Sequence, residues 1–199
     1  DEMVRAFELD AVSKSNAVFD PEKLAWMNSE YLRHLPAERL LSLVKEELKS
    51  ASLWREACDA GERDQFRRAT LLLQTRARSL EDFSDSFRAF YADHFDYDSE
   101  AVKKFWKDPI LPDLLHLLGQ RLSRAEPFDH VTTEKCLRML AEEKNVKAGL
   151  LINAARVALT GQAVAPGLFE VMAVLGRERV VTRLGQAAAH LQRSVTGDK

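Results

Sequence analysis

Ala37, Leu40, Leu41, Val44 and Leu48 recur at i, i+3, i+4, i+7 and i+11, one apolar stripe down a helix that opens at Pro36. The same period runs along nearly the whole chain. Asp20-Pro21 makes a helix entry, because Asp can cap free N–H groups and Pro tolerates the first helical position. Leu24, Met27 and Tyr31 then share a face. A third apolar stretch covers Phe66 to Leu73, and Ser79 with Asp82 has the look of a capping box ahead of Leu80, Phe83, Phe87 and Phe90. Asp98 or Ser99 caps a short helix presenting Val102, Phe105 and Trp106. Asp108-Pro109 opens the next, with Leu111, Leu114, Leu115, Leu118 and Leu122 at helical spacing. Further helices are expected at about 132–144, 147–159, 167–175 and 177–194.

No segment alternates apolar and polar positions long enough to make a strand, and no period of 34 or 40 residues announces a solenoid. The acidic, aromatic turn YADHFDYDSE at 91–100 is the expected seam. The fold class is therefore all-α: two consecutive helical bundles over 21–96 and 97–199, after a lead-in at 1–20.

Composition narrows the classes. The chain has 199 residues, 46% hydrophobic and 30% charged, which suits a globular protein, and 8 Gly and 6 Pro are too few for a fibrous or disordered one. No apolar run approaches the roughly 18 residues of a membrane-spanning helix. The opening DEMVRAFELD is charged throughout, unlike a signal peptide. The start at Asp1 rather than Met reads as a piece of a longer chain, with Met3 behind a tag remnant as the alternative. Two cysteines, Cys58 and Cys136, argue against a disulfide framework and fit a reducing cytosol. The net charge of −2 hides an asymmetry: −3 over residues 1–50, −4 over 51–143 and +5 over 144–199. A basic C-terminal quarter can attract a polyanion, or simply be a solvated helix face.

Enzyme signatures are missing. There is no G-x-S-x-G, P-loop or G-x-G-x-x-G, and the five histidines show no metal-ligand spacing. Glu46-Glu47 and Glu142-Glu143 are neighbours on helices, about 100° apart, and read as surface charge rather than an acid/base pair. VSKSN at 12–16 is similar to the ATP-gripping K-M-S-K-S loop of class I aminoacyl-tRNA synthetases, but nothing before it could supply the nucleotide-binding domain that loop serves.

Two stretches say more: 16-NAVFDPEKLAWMNSEYLR-33 and 150-LLINAARVALTGQAVAPGLFEVMAVLGRERVVTRL-184. Together they closely resemble the C-terminal half of bacterial glutamyl-tRNA synthetases, where a V-F-D-x-x-K-L-x-W-M-N segment follows the catalytic domain. An L-R-x-A-L-T-G…P-G-L-F-E…L-G-K-E-R-x-x-x-R-L segment closes that family's chain. The resemblance implies an all-helical anticodon-binding region of two bundles, with residues 1–20 as the tail of the stem-contact region. It implies the anticodon arm of tRNA(Glu) as partner, a cytoplasmic monomer and no membrane contact. It also implies no cofactor in this chain. ATP and Mg²⁺ belong to a catalytic domain outside these residues, so the chain should be inactive alone.

The matched residues carry a specific chemistry. Glutamate anticodons have the form Y-U-C and glutamine anticodons Y-U-G. At the edge that is read, cytosine offers the O2 and N3 acceptors and guanine the N1–H and N2–H₂ donors, so a donor-only arginine suits the first and opposes the second. The family arginine for this base falls within 74-QTRARSLEDF-83, at Arg76, with Arg78 close enough to share the assignment. Taken without the family, an arginine here would cap a helix end or pair with Glu81 or Asp82. Arg156 in AARVALTG matches an arginine directed at the first anticodon base, although Ala154-Ala155 departs from the usual Pro-Leu pair before it. Pro166 and Gly167 would begin a helix whose free N–H groups can meet a phosphate or base edge. Phe169 could give a stacking wall, or else be core with Leu168, Met172 and Leu175. Lys23 and Trp26 resemble family positions near the tRNA stem and the domain junction. Arg177, Arg179 and Arg183 read as a solvated basic face that adds phosphate attraction. From other classes, a helical protein–protein adaptor or a stand-alone tRNA-binding relative would share the same composition.

Overall fold

The computed structural model describes residues 2–8, 18–59 and 61–196; VSKSN at 12–16 lies outside them. Among the described residues every regular element is helical. Short α1 (Glu2–Ala6) precedes α2 (Pro21–His34), α3 (Ala37–Ser50), α4 (Arg63–Gln74) and α5 (Glu81–Ser84). Then follow α6 (Ser99–Phe105), α7 (Leu111–Ser123), α8 (His130–Glu143), α9 (Ala148–Thr160), α10 (Leu168–Leu175) and α11 (Arg177–Thr196).

Local chemistry sets most starts. Asp20 Oδ1 accepts from the Glu22 and Lys23 N–H groups, with Pro21 in the first turn. Asp98, rather than Ser99, caps α6 by accepting from Glu100 and Ala101. The expected opening at Asp108-Pro109 shifts to Leu111, because the Asp108 carboxylate accepts from Ile110 N–H and holds a turn first. α8 begins two residues before its expected start, capped by Asp129 on Thr132 N–H. That backbone hydrogen bond is also the main reason the Asp129 carboxyl is held below its usual range. The stripe of Leu80, Phe83, Phe87 and Phe90 is split between α5 and a 3₁₀ turn at Arg88–Phe90. Phe83, Phe87 and Phe90 still reach the core.

α7 forms the centre of the second half. Leu111, Leu114, Leu115, Leu118 and Leu122 are all buried, and α7 packs most extensively against α11. Gly119 faces Leu184 of α11, where a Cβ would make ordinary van der Waals contact at 3.7 Å. In the first half Leu40, Val44 and Leu48 of α3 meet Phe66 and Leu73 of α4 and Phe83 of α5 within one buried cluster, which continues into the second half. The predicted face of Leu24, Met27 and Tyr31 on α2 also forms, but it is exposed.

The seam carries more than apolar contact. Gln65 Nε2 of α4 donates to Leu175 O at the end of α10, and Asp98 N–H donates to Gly161 O at the end of α9. Gly161 has φ +75°, the left-handed conformation that ends α9. Tyr91 is fully buried with its hydroxyl on Thr70 Oγ1, and burial pushes its ionisation well above the ordinary tyrosine range.

Candidate nucleic-acid interface

The end of α4 builds the first half of the interface. Gln74 Nε2 donates to Leu32 O and Leu35 O, both at 2.9 Å, and so fastens this end to the last turn of α2. Arg76 and Ala77 N–H groups then both return to Leu73 O. Ala77 is buried by that turn, which leaves Arg76 and Arg78 exposed on either side of it. The Asp82 carboxylate accepts from the backbone N–H groups of Arg78 and Ser79, at 2.6 and 3.3 Å. Asp82 therefore fixes the loop rather than pairing with an arginine side chain. Neither the Arg76 nor the Arg78 guanidinium has a partner among the described residues.

Across from this loop lies α2. A groove of about 610 Å³ between them is lined by Trp26, Ser29 and Arg33 on one wall and by Thr75, Arg76 and Arg78 on the other. Trp26 is 61% exposed, so its indole offers a flat face beside two unpaired guanidinium groups. Arg33, absent from the residues singled out in the sequence, joins the groove and pairs with Glu30 at 2.5 Å. Its i, i+7 relation to Trp26 puts it on the same helix face, a signal that was readable. Lys23 is exposed one turn before Trp26 but does not line this groove.

Arg156 stands elsewhere, on α9. It is half-buried, Nη1 donates to Asn153 Oδ1 at 2.7 Å, and Nε is buried without a partner. Burial lowers its pKa below the usual arginine value. The turn after α9 brings Pro166 into the interior and makes Gly167 the N-cap of α10. A Cβ on Gly167 would lie 2.9 Å from Glu170 Oε2, so this helix start already faces its own carboxylate. A phosphate there would meet like charge, and the free N–H groups suit a neutral base edge better. Phe169 is 8% exposed, with the His130 ring edge-on at 5.5 Å. Its ring sits in the core cluster and leaves no open face for a base.

The basic C-terminal face corrects one expectation. Arg177 donates to Ala125 O and pairs with Glu126. Arg179 pairs with Glu62 and Asp93, both also partners of Arg55. Arg183 is 3% exposed, donating to Leu159 O and Ala92 O. Its guanidinium also lies over the Phe95 ring. Arg179 and Arg183 thus join the two halves, and Arg177 ties α11 to the α7–α8 turn, instead of forming a free solvated face. Spacing could have exposed Arg183, since it falls between Val180 and Ala187 on the buried stripe of α11.

Among the described residues no group of His, Cys, Asp and Glu could hold a metal ion, and no helix is long and apolar enough to cross a membrane. A family profile described as "Anticodon binding domain" matches residues 31–188. Glutamate–tRNA ligase 2 of Koribacter versatilis is 52% identical over 188 residues, covering 94% of this chain and 38% of the relative. Glutamate–tRNA ligase of Desulforudis audaxviator is 36% identical over 197 residues, covering 98% of this chain and 39% of the relative. The crystal structure of a glutamate tRNA ligase from Elizabethkingia meningosepticum superposes with a TM-score of 0.77 at 25% identity, over 96% of this chain and 36% of that one. The chain thus spans about two fifths of the curated relatives it matches.

Proposed function

The chain belongs to the anticodon-binding domain family, and from that premise we propose that it binds the anticodon arm of tRNA(Glu) for a glutamate–tRNA ligase. One observation carries the reading: Trp26, Arg76 and Arg78 share a groove, the indole exposed and both guanidinium groups unpaired. RNA sequence is read mainly from splayed single-stranded bases, by stacking and by hydrogen bonds to their edges. Arg76 takes the third-base cytosine through its donors, and Trp26 supplies a stacking face beside it. Arg78 and Arg33 hold the adjoining phosphates. Arg156, with Asn153 orienting it, meets the first base. Lys23 adds attraction along the stem. Gly167 forms the edge of the second contact, and Pro166 and Phe169 support it from within the core. The family match does not favour a protein–protein adaptor.

Arg156→Ala is the direct test of the second contact. It removes a half-buried donor whose Nε has no protein partner, and should weaken binding of a Y-U-C stem-loop by about 1–3 kcal/mol. The check is a titration of the stem-loop at one fixed salt, beside a circular-dichroism spectrum. Unchanged affinity with unchanged helix content removes Arg156 from the interface.

Amino-acid activation belongs, in this reading, to the part of the relatives that the chain does not span. ATP and Mg²⁺ would act there, and the partner of this chain within a full-length protein would be that catalytic domain. The pure 199-residue chain is expected to show no glutamate-dependent ATP–pyrophosphate exchange. Exchange above background would overturn that assignment.

A further inference from the structure

A second groove, of about 440 Å³, lies between α9 and the end of α6, and nothing so far assigns it. Its walls are Lys104, Phe105 and Lys107 on one side and Leu150 and Asn153 on the other. The volume falls in the roughly 300–1,000 Å³ range of small-molecule clefts. The end of α6 is anchored to α9 beside the groove, because Trp106 is buried and its Nε1–H donates to Ala154 O at 3.1 Å. That anchor fixes its chain neighbours Phe105 and Lys107, both of which line the groove.

The chemistry of the walls is divided. Phe105 and Leu150 are half-buried apolar surfaces. Lys103 pairs with Glu100, whereas Lys104 and Lys107 are exposed and have no carboxylate partner among the described residues. The Lys104 ammonium lies 5.2 Å from the Phe105 ring centroid, so charge and apolar wall are adjacent. Asn153 Oδ1 accepts from Arg156 Nη1, which leaves the amide N–H groups as donors. Asp108 closes one end, with Oδ1 already accepting from Ile110 N–H. Two cations, an apolar wall and an amide edge match a nucleotide: phosphate, base face and base edge. The hydrogen bond from Arg156 to Asn153 makes the groove continuous with the contact assigned to Arg156.

We propose that this groove is a nucleotide subsite, holding the residue of the RNA loop next to the base met by Arg156. Its phosphates lie on Lys104 and Lys107, its base against Phe105 and Leu150, and its edge on the Asn153 amide. The proposal rests on the anticodon-arm reading above.

The test uses the 199-residue chain and a Y-U-C stem-loop, comparing the parent with Lys104→Gln/Lys107→Gln and with Arg76→Gln. The double variant should bind about tenfold more weakly at low salt. Its log–log salt slope should fall by about 1.4, the single-strand value for two phosphates. Its thermal midpoint should not move, because both side chains are exposed. In the parent, mass spectrometry after amine acylation should show Lys104 and Lys107 protected once RNA is bound. If the parent and Arg76→Gln differ but the double variant keeps the parent's affinity and slope, with both lysines unprotected, the subsite falls and the anticodon reading stands. If the double variant weakens with no change in slope, the phosphate assignment falls. A parent that binds no stem-loop overturns both.

Discussion

Arg183→Leu is expected to destabilise the chain by about 3 kcal/mol, a large effect for a residue remote from any RNA contact. The guanidinium is 3% exposed and its pKa is pushed down to about 10, chiefly by burial and next by nearby Arg179. Burying a charge is costly, so its hydrogen bonds must offset that cost. They run to Leu159 O at 2.7 Å in α9 and to Ala92 O at 2.9 Å in the seam. Leucine would recover apolar contact but strand both carbonyls, which costs roughly 1–3 kcal/mol each. Arg183→Lys keeps the charge but cannot span both carbonyls as a planar fork does, and should lose about half as much. Urea denaturation of the three proteins measures this. A loss below about 1 kcal/mol for leucine would mean that these carbonyls find other partners and that Arg183 does not join the halves.

Gly161→Ala should cost about 2–4 kcal/mol, for two separable reasons. The left-handed φ of +75° strains any residue with a Cβ. That Cβ would also lie 2.4 Å from Asp96 O and 2.9 Å from the Phe95 ring. Relief requires the seam to retreat, which pulls Asp98 N–H off Gly161 O and loosens the start of α6. Thermal denaturation of the parent and of Gly161→Ala measures the loss, and a midpoint that does not move would show that the seam yields freely.

These two residues mark where the sequence stopped being legible. Helix periodicity located α3, α4 and α7 because each presents one face to one core, and Leu40, Val44, Leu114 and Leu118 are buried as their spacing implies. Caps located α2 and α6, since Asp20 and Asp98 act within three residues. Contacts between distant segments leave no such mark. Arg183 looks like any helix-face arginine until α9 and the seam bring it Leu159 O and Ala92 O, which are 24 and 91 positions away. The groove followed the same rule. Arg76 and Arg78 came from the family resemblance, and spacing puts Arg33 on the face of Trp26, but only Gln74, which fastens α4 to α2, brings that face to the arginine loop. Phe169 shows the reverse error of emphasis, for its helical stripe with Met172 already favoured the core that it occupies.

The central claim is that this chain distinguishes a third-base cytosine from guanine through Arg76. Arginine donors pair with the cytosine acceptors and oppose the guanine donors, so discrimination has a repulsive as well as an attractive part. Glutamine at this position both donates and accepts, and can pair with guanine. The measurement is the ratio of dissociation constants for Y-U-C and Y-U-G stem-loops, at one salt concentration, in the parent and in Arg76→Gln. A preference for Y-U-C that shrinks by about 1–3 kcal/mol in the variant, near the usual size of a wrong-base penalty, is the predicted result. A ratio that is the same in both proteins, with both loops weakened equally, would make Arg76 a phosphate contact and contradict the claim.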